Sequence, residues 1–195
     1  MTTDIIIIDD AVPLATQQAL ETLFTGPTVP WSFVAPGADY NSVSISTPQS
    51  IDYTQLVNCV YSAADGVVGS SFPMFVPVLS ALPNIGELLR IKVNITMASV
   101  NRPVGSYGQP HIDFTPIPKG LVTAIYYVND SDGDTVMFNQ VGNTVVPVQT
   151  ITPKKGRLVV FNGGRYHSGN CPSTDQPRVI ANINFLPAKA YNGKT

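Results

Sequence analysis

At 195 residues the chain is the length of one domain with a sizeable core, and only 12% of it is charged, about half the roughly 25% usual in soluble proteins. So few charges beside 17 prolines favour a β-dominated domain with many turns over a helical bundle. A formal charge of −2 without a basic run excludes the clustered Lys/Arg footprint of a nucleic-acid-binding protein, and Lys154-Lys155 reads as a turn before a strand.

In chain order, Ile5-Ile6-Ile7-Ile8 reads as a buried strand closed by Asp9-Asp10, with no signal-peptide pattern at the start. Residues 13 to 24 predict a helix, with Pro13 near its start and Leu20, Leu23 and Phe24 on one side. From Thr25 to Ser50 the chain carries Gly26, Pro27, Pro30, Pro36, Gly37 and Pro48, the composition of loop around short strands. Tyr53, Leu56, Val57, Val60, Tyr61 and Ala64 then follow helical spacing. They predict a helix with Asp52 as N-cap, Gln55 at the capping-box position and Gly66 as its stop. A shorter helix is predicted over residues 72 to 82. Its apolar run, like that of Ile5 to Ile8, is far shorter than the ~18 residues a membrane span needs, so no membrane partner is expected. Cys59 and Cys171, without a secretory signal, read as reduced thiols and suit a cytoplasmic protein.

From Gly86 on, the period changes from helical to 2. Arg90, Lys92, Asn94 and Thr96 alternate with Ile91, Val93, Ile95 and Met97. Further strands are predicted over Leu121 to Val128, Asp134 to Asn139, Thr144 to Ile151, Arg157 to Phe161 and Arg178 to Phe185, separated by Gly-, Asn- and Asp-rich turns. The fold class expected is mainly β, a double-stranded β-helix (jelly roll) with the N-terminal helices packed on one sheet. Residues 1–195 are read as a single domain, 1–85 its helical and loop N-terminal part and 86–186 its β-helix core. The last strand puts Arg178, Ile180, Asn182 and Asn184 on one face. That face is either the solvated side of the sheet or the lining of a wet, ligand-holding barrel, and the 90–97 strand poses the same choice.

The chain has only two histidines, and both stand in a metal-binding pattern. His111-Ile112-Asp113 is a His-x-Asp triplet, and strand residues i and i+2 point the same way, so the pair can bind one metal. His167 follows after a turn of glycines, and Arg178 follows His167 by eleven residues. Two imidazoles and a carboxylate on one face of a metal leave three positions open, the arrangement of non-haem Fe(II) oxygenases.

His111-x-Asp113, Tyr126-Tyr127-Val128-Asn129, Asp132-Gly133-Asp134-Thr135-x-x-Phe138, Pro153-x-x-Gly156-Arg157-Leu158-x-x-Phe161-Asn162, His167 and Arg178 together resemble the 2-oxoglutarate/Fe(II) oxygenases. The nearest branch is the prolyl 4-hydroxylase-like enzymes, and the likeness covers residues 86 to 186. The resemblance implies an Fe(II)/2-oxoglutarate-dependent dioxygenase, a hydroxylase that couples oxidative decarboxylation of 2-oxoglutarate, with O2, to oxidation of a small-molecule or peptidyl substrate. His111, Asp113 and His167 become its iron ligands. Arg178 becomes the clamp on the distal carboxylate of 2-oxoglutarate, because a planar guanidinium meets a carboxylate with two parallel hydrogen bonds. Tyr127 is the second group for that carboxylate, and Asn182 is placed beside them. Arg165, two residues before His167, is a rival for the clamp. The chain departs from the prolyl hydroxylases at Asn184, where those enzymes carry Trp, and in the approach to the His-x-Asp. Both departures bear on the substrate and not on the iron chemistry.

The loop from Ser99 to Pro110 runs straight into the first ligand and is expected to cover the open side of the metal, with Arg102 and Tyr107 as substrate contacts. Two rival readings remain at this point. One is a non-catalytic jelly roll with a binding or structural role. The other is a cupin-type metalloenzyme that does not use 2-oxoglutarate.

Overall fold

A computed structural model of the chain describes residues 5–34, 43–51, 53–99 and 101–188, so the proposed N-cap Asp52 and the centre of the Thr25 to Ser50 loop lie outside the described residues. The first half holds β1 (Ile6–Ile8), α1 (Leu14–Thr25), β2 (Ser32–Val34), β3 (Val43–Ser44), β4 (Ser50–Ile51), β5 (Gln55–Ser62), β6 (Gly66–Val67) and α2 (Phe72–Ala81). Next come β7 (Ile85–Thr96), β8 (Tyr107–Gly108), β9 (His111–Ile112), β10 (Val122–Tyr127) and β11 (Thr135–Val141). The chain ends on β12 (Thr144–Ile151), β13 (Leu158–Asn162), β14 (His167–Gly169) and β15 (Arg178–Pro187).

The strands form two main sheets, as the alternation of residues 86 to 186 predicts. The larger runs β1-β13-β10-β15-β7-β5-β2, with β6 beside β5, and the smaller runs β12-β11-β14-β9-β3. Period-2 alternation gives the larger sheet two different faces. Ala124, Tyr126, Leu158, Val160, Val179, Ala181, Ile183, Phe185, Ile91, Val93 and Ile95 form one cluster with Leu20 and Phe24 of α1 and Phe75 and Val78 of α2. Burying side chains of this size contributes ~1.5–3 kcal/mol each, which is why the two helices lie on this face. The opposite face, carrying Arg178, Asn182 and Asn184, is also buried: these three are 4%, 4% and 0% exposed. The polar face of the last strand is therefore the lining of the barrel, not its solvated side.

Two expectations are corrected. Residues 53 to 64 are not a helix; residues 55 to 62 form β5, antiparallel to both β7 and β2. A β-bulge between Cys59 and Tyr61 shifts the alternation by one residue. Leu56, Val60 and Tyr61 thus all join the helix-side core while Val57 faces the cavity, a spacing that imitates the helical period. The isoleucine run at the start is likewise not a buried strand. β1 is a sheet edge paired only with β13, and Ile6 and Ile7 are 40% and 42% exposed. Among the described residues, no helix is long and apolar enough to cross a membrane.

Candidate metal and cosubstrate site

The two histidines reach each other through the smaller sheet. β9 and β14 pair antiparallel with His111 directly opposite His167, and their rings lie 4.7 Å apart. Asp113 follows β9 and is 1% exposed. One ligand atom from each of His111, Asp113 and His167 falls within a 4.8 Å group. Each imidazole is oriented by a main-chain carbonyl two residues before it: His111 Nδ1 lies 3.0 Å from the Gln109 oxygen and His167 Nδ1 3.2 Å from the Arg165 oxygen. A proton on Nδ1, donated to the carbonyl, leaves the Nε2 lone pair free for a metal.

Electrostatics favour the same use. Burial pushes the pKa of His167 down to about 4, so the ring is neutral at physiological pH. Burial alone would raise the Asp113 carboxyl, but the neighbouring His167, Arg90 and His111 outweigh it and hold the group well below the usual carboxylate range. Asp113 therefore stays ionised. Its oxygens accept from Asn182 Nδ2 and Asn184 Nδ2, both at 2.9 Å, and from Thr123 Oγ1 at 3.2 Å.

The cavity between the sheets, about 140 Å³, is lined by these three residues together with Thr135, Ser168, Gly169, Arg178, Ile180 and Asn182. Arg178 is buried, with no carboxylate within ion-pair distance among the described residues. Its Nη2 donates to Thr135 Oγ1 at 2.7 Å, and its Nε has no partner. A desolvated guanidinium without a counter-charge costs several kcal/mol, which a bound dianion would offset. Asn182 Oδ1 and the Ser168 hydroxyl are also buried without partners. The donor set, the buried guanidinium and these unfilled groups fit a metal and a carboxylate ligand in one cavity.

Sequence reasoning missed Thr135. The Tyr127 hydroxyl donates to Thr135 Oγ1 at 2.7 Å, as Arg178 does, so both lone pairs of that oxygen are occupied. The Thr135 proton is left to be donated, and Thr135, unlike Tyr127, lines the cavity. Tyr127 thus reaches the site through Thr135. As strand alternation requires, Tyr126 lies on the opposite face, in the helix-side core, where its hydroxyl has no partner. Tyr127→Phe is expected to weaken 2-oxoglutarate binding by ~0.5–1.5 kcal/mol, the worth of one neutral hydrogen bond, and calorimetric titration measures it. Tyr126→Phe should leave binding unchanged and hold or raise the melting temperature.

Two glycines make room for the arginine. A Cβ on Gly169 would lie 2.8 Å from Arg178 Nη1, and one on Gly133 would lie 2.9 Å from Arg178 Cδ. Gly169→Ala is accordingly expected to displace the guanidinium and raise the 2-oxoglutarate KM about tenfold while the metal still binds at full stoichiometry. An unchanged KM would show that the side chain has slack there. The signal for Gly169 was its place two residues after His167 on one strand, but its contact with Arg178 arises only where β14 faces β15.

Three sequence candidates fall elsewhere. Arg165 is turned away, with Nη2 on Asn139 Oδ1 at 3.0 Å, so it does not compete with Arg178. Arg102 donates from Nη1 to the Cys171 carbonyl at 2.9 Å and does not line the cavity. Tyr107 is 6% exposed, edge-on to Phe138 at 4.9 Å and hydrogen-bonded to Thr47 Oγ1 at 2.9 Å. Neither Arg102 nor Tyr107 lines this cavity, and both anchor the loop. Main-chain bonds from Ser99 to Pro172 and from Tyr107 to Gln49 hold the same loop down. Tyr53, Gln55, Lys92 and Asn94 also share the cavity with the triad.

Comparison with known proteins agrees with the geometry. The family profile of the 2OG-Fe(II) oxygenase superfamily matches residues 96–186. No curated protein sequence matches the chain. The epimerase SnoN from nogalamycin biosynthesis, which is α-ketoglutarate dependent, has a similar structure at 13% identity, TM-score 0.60, over 95% of this chain and 79% of that one. A prolyl hydroxylase from Trichoplax adhaerens, solved with a hypoxia inducible factor peptide, is 16% identical with TM-score 0.55 over 100% and 88%. HygX from Streptomyces hygroscopicus, with nickel and 2-oxoglutarate bound, is 12% identical with TM-score 0.52 over 95% and 84%. At these identities the likeness speaks for the fold.

Proposed function

We propose that the chain, whose residues 96–186 match the 2OG-Fe(II) oxygenase superfamily, is a 2-oxoglutarate-dependent dioxygenase that hydroxylates a small-molecule or peptidyl substrate with His111, Asp113 and His167 as its iron ligands. The observation that carries the reading is Arg178, a buried guanidinium without a carboxylate, set in the same cavity as the triad. Iron, with 2-oxoglutarate and O2, supplies oxidative decarboxylation to succinate and CO2 and the oxidising power for the substrate.

The chain's own residues do the rest. His111 and His167 offer Nε2 atoms whose direction the Gln109 and Arg165 carbonyls set. Asp113 brings the negative charge, positioned by Asn182, Asn184 and Thr123. Arg178 takes the distal carboxylate of 2-oxoglutarate, with the Thr135 hydroxyl as a second donor and Tyr127 holding that hydroxyl from behind. The apolar side chains of Ile125 and Ile180 line the cavity and would limit water beside the cosubstrate. The prolyl 4-hydroxylase likeness supports hydroxylation as the outcome, and the Asn184 departure leaves the substrate open between peptide and small molecule. Succinate formation against a panel of proline peptides and polar small molecules tests this. A product with the substrate epimerised or cyclised, and no oxygen incorporated, would replace hydroxylation by another outcome of the same chemistry.

A further inference from the structure

The donors around Asp113 approach its two oxygens unequally. Oδ1 accepts from Asn182 Nδ2 at 2.9 Å and lies 3.3 Å from Arg90 Nη2. Oδ2 takes Asn184 Nδ2 at 2.9 Å and the Thr123 hydroxyl at 3.2 Å, and it is the oxygen 3.8 Å from His167 Nε2. The Asn184 amide is shared, for the same Nδ2 also reaches Thr123 Oγ1 at 3.0 Å. An Asn amide carries two protons, one for each acceptor, so the donors on Oδ2 are an amide and a hydroxyl, both neutral.

Oδ1 faces a fixed cation as well. Arg90 Nε donates to Asn184 Oδ1 at 3.1 Å, and its guanidinium carbon sits 4.7 Å from the centre of the Phe114 ring. Arg90 and Asn184 are direct partners across the β7–β15 pairing, so backbone register sets where the guanidinium lies. Asn184 is itself fixed end for end: its oxygen faces a donor and its nitrogen faces two acceptors. Arg90 Nη2 makes no aligned hydrogen bond, so its contact with Oδ1 is charge on charge. With side chains 14% and 1% exposed, solvent screens that charge poorly.

The geometry points to Arg90, oriented by Asn184, as a positioning residue that reserves Oδ1 of Asp113 and leaves Oδ2 alone to face the metal. The inference rests on the reading that His111, Asp113 and His167 hold the metal. A carboxylate free to turn can chelate through both oxygens and occupy a position that cosubstrate or O2 requires. Asn182 is a neutral donor and competes with a divalent ion for Oδ1 less well than a fixed cation does.

Cobalt(II) in place of iron gives a readout without turnover, since its visible absorption weakens as coordination number rises. Protein loaded anaerobically with one equivalent of Co(II) is titrated with 2-oxoglutarate for the wild type, Arg90→Met and Arg90→Lys. Arg90→Met keeps bulk against Phe114 and removes the charge. It is expected to bind one Co(II), absorb more weakly than wild type before cosubstrate is added, and bind 2-oxoglutarate about tenfold more weakly. Arg90→Lys, which keeps the charge, is expected to recover most of both. Identical spectra and dissociation constants in wild type and Arg90→Met overturn the proposal, and so does complete loss of Co(II) from an Arg90→Met protein that still melts cooperatively. If Arg90→Met does not fold, Arg90→Gln, which keeps a polar end facing Asn184 and removes the charge, is judged by the same outcomes. Wild-type protein that binds no Co(II) removes the metal-site reading itself, whereas unchanged behaviour in the variants removes this inference alone.

Discussion

His167→Ala should abolish binding of Fe(II) in an anaerobic titration that gives one equivalent for the wild type, and 2-oxoglutarate turnover should vanish with it. Losing even a group that only orients a ligand costs a metal site about 10–100-fold in affinity, and here one of three protein ligands goes. The fold should survive. The ring is neutral in the native state because burial keeps its pKa near 4, so its removal leaves no charge stranded. It does leave a gap beside Phe161, whose ring centre lies 5.0 Å away, and the melting temperature should drop modestly. His111→Ala should behave alike. Tight, stoichiometric iron binding by the double variant would eliminate the triad as the metal site.

Arg178→Ala is expected to weaken 2-oxoglutarate by about 2–5 kcal/mol, roughly 30-fold or more in dissociation constant, because a buried carboxylate would lose its guanidinium partner. Iron affinity without cosubstrate should change little, since Arg178 donates to Thr135 and not to any triad residue. The apo variant should be as stable as the wild type or more so, for an uncompensated buried charge has been removed. Calorimetric titration of the metal-loaded protein with 2-oxoglutarate measures the first effect and thermal melting of the apo protein the last. An unchanged dissociation constant would mean that the cosubstrate carboxylate lies elsewhere in the cavity.

Much of the site was legible before folding because its chemistry is concentrated in rare residues. Two histidines, one His-x-Asp triplet and an arginine eleven residues after the second histidine leave few alternatives, and period-2 alternation after Gly86 places the arginine on a strand without further help. The same alternation separates Tyr126 from Tyr127. What the sequence by itself determined, then, is which residues could hold a metal, the arginine that shares their cavity, and the two-sheet architecture that carries them.

The tertiary structure decided everything that depends on which strands become neighbours. Residues 53 to 64 obey helical spacing, yet Leu56 and Val57 serve opposite faces of a sheet; a bulge created by pairing with β7 produces that pattern, and pairing is not a local property. Thr135 and Gly169 matter because β11 and β14 end against Arg178, and Arg90 matters because β7 lies beside β15. Arg102 and Tyr107 sit in a loop that looks like a lid in one dimension, and contacts with Cys171, Phe138 and Thr47, up to about 70 residues away in sequence, make it a fastened support. Residue type and spacing report what a side chain can do. Which partner it meets is set by the burial of apolar faces and the satisfaction of backbone hydrogen bonds over the whole sheet, and these are fixed only when the chain closes on itself.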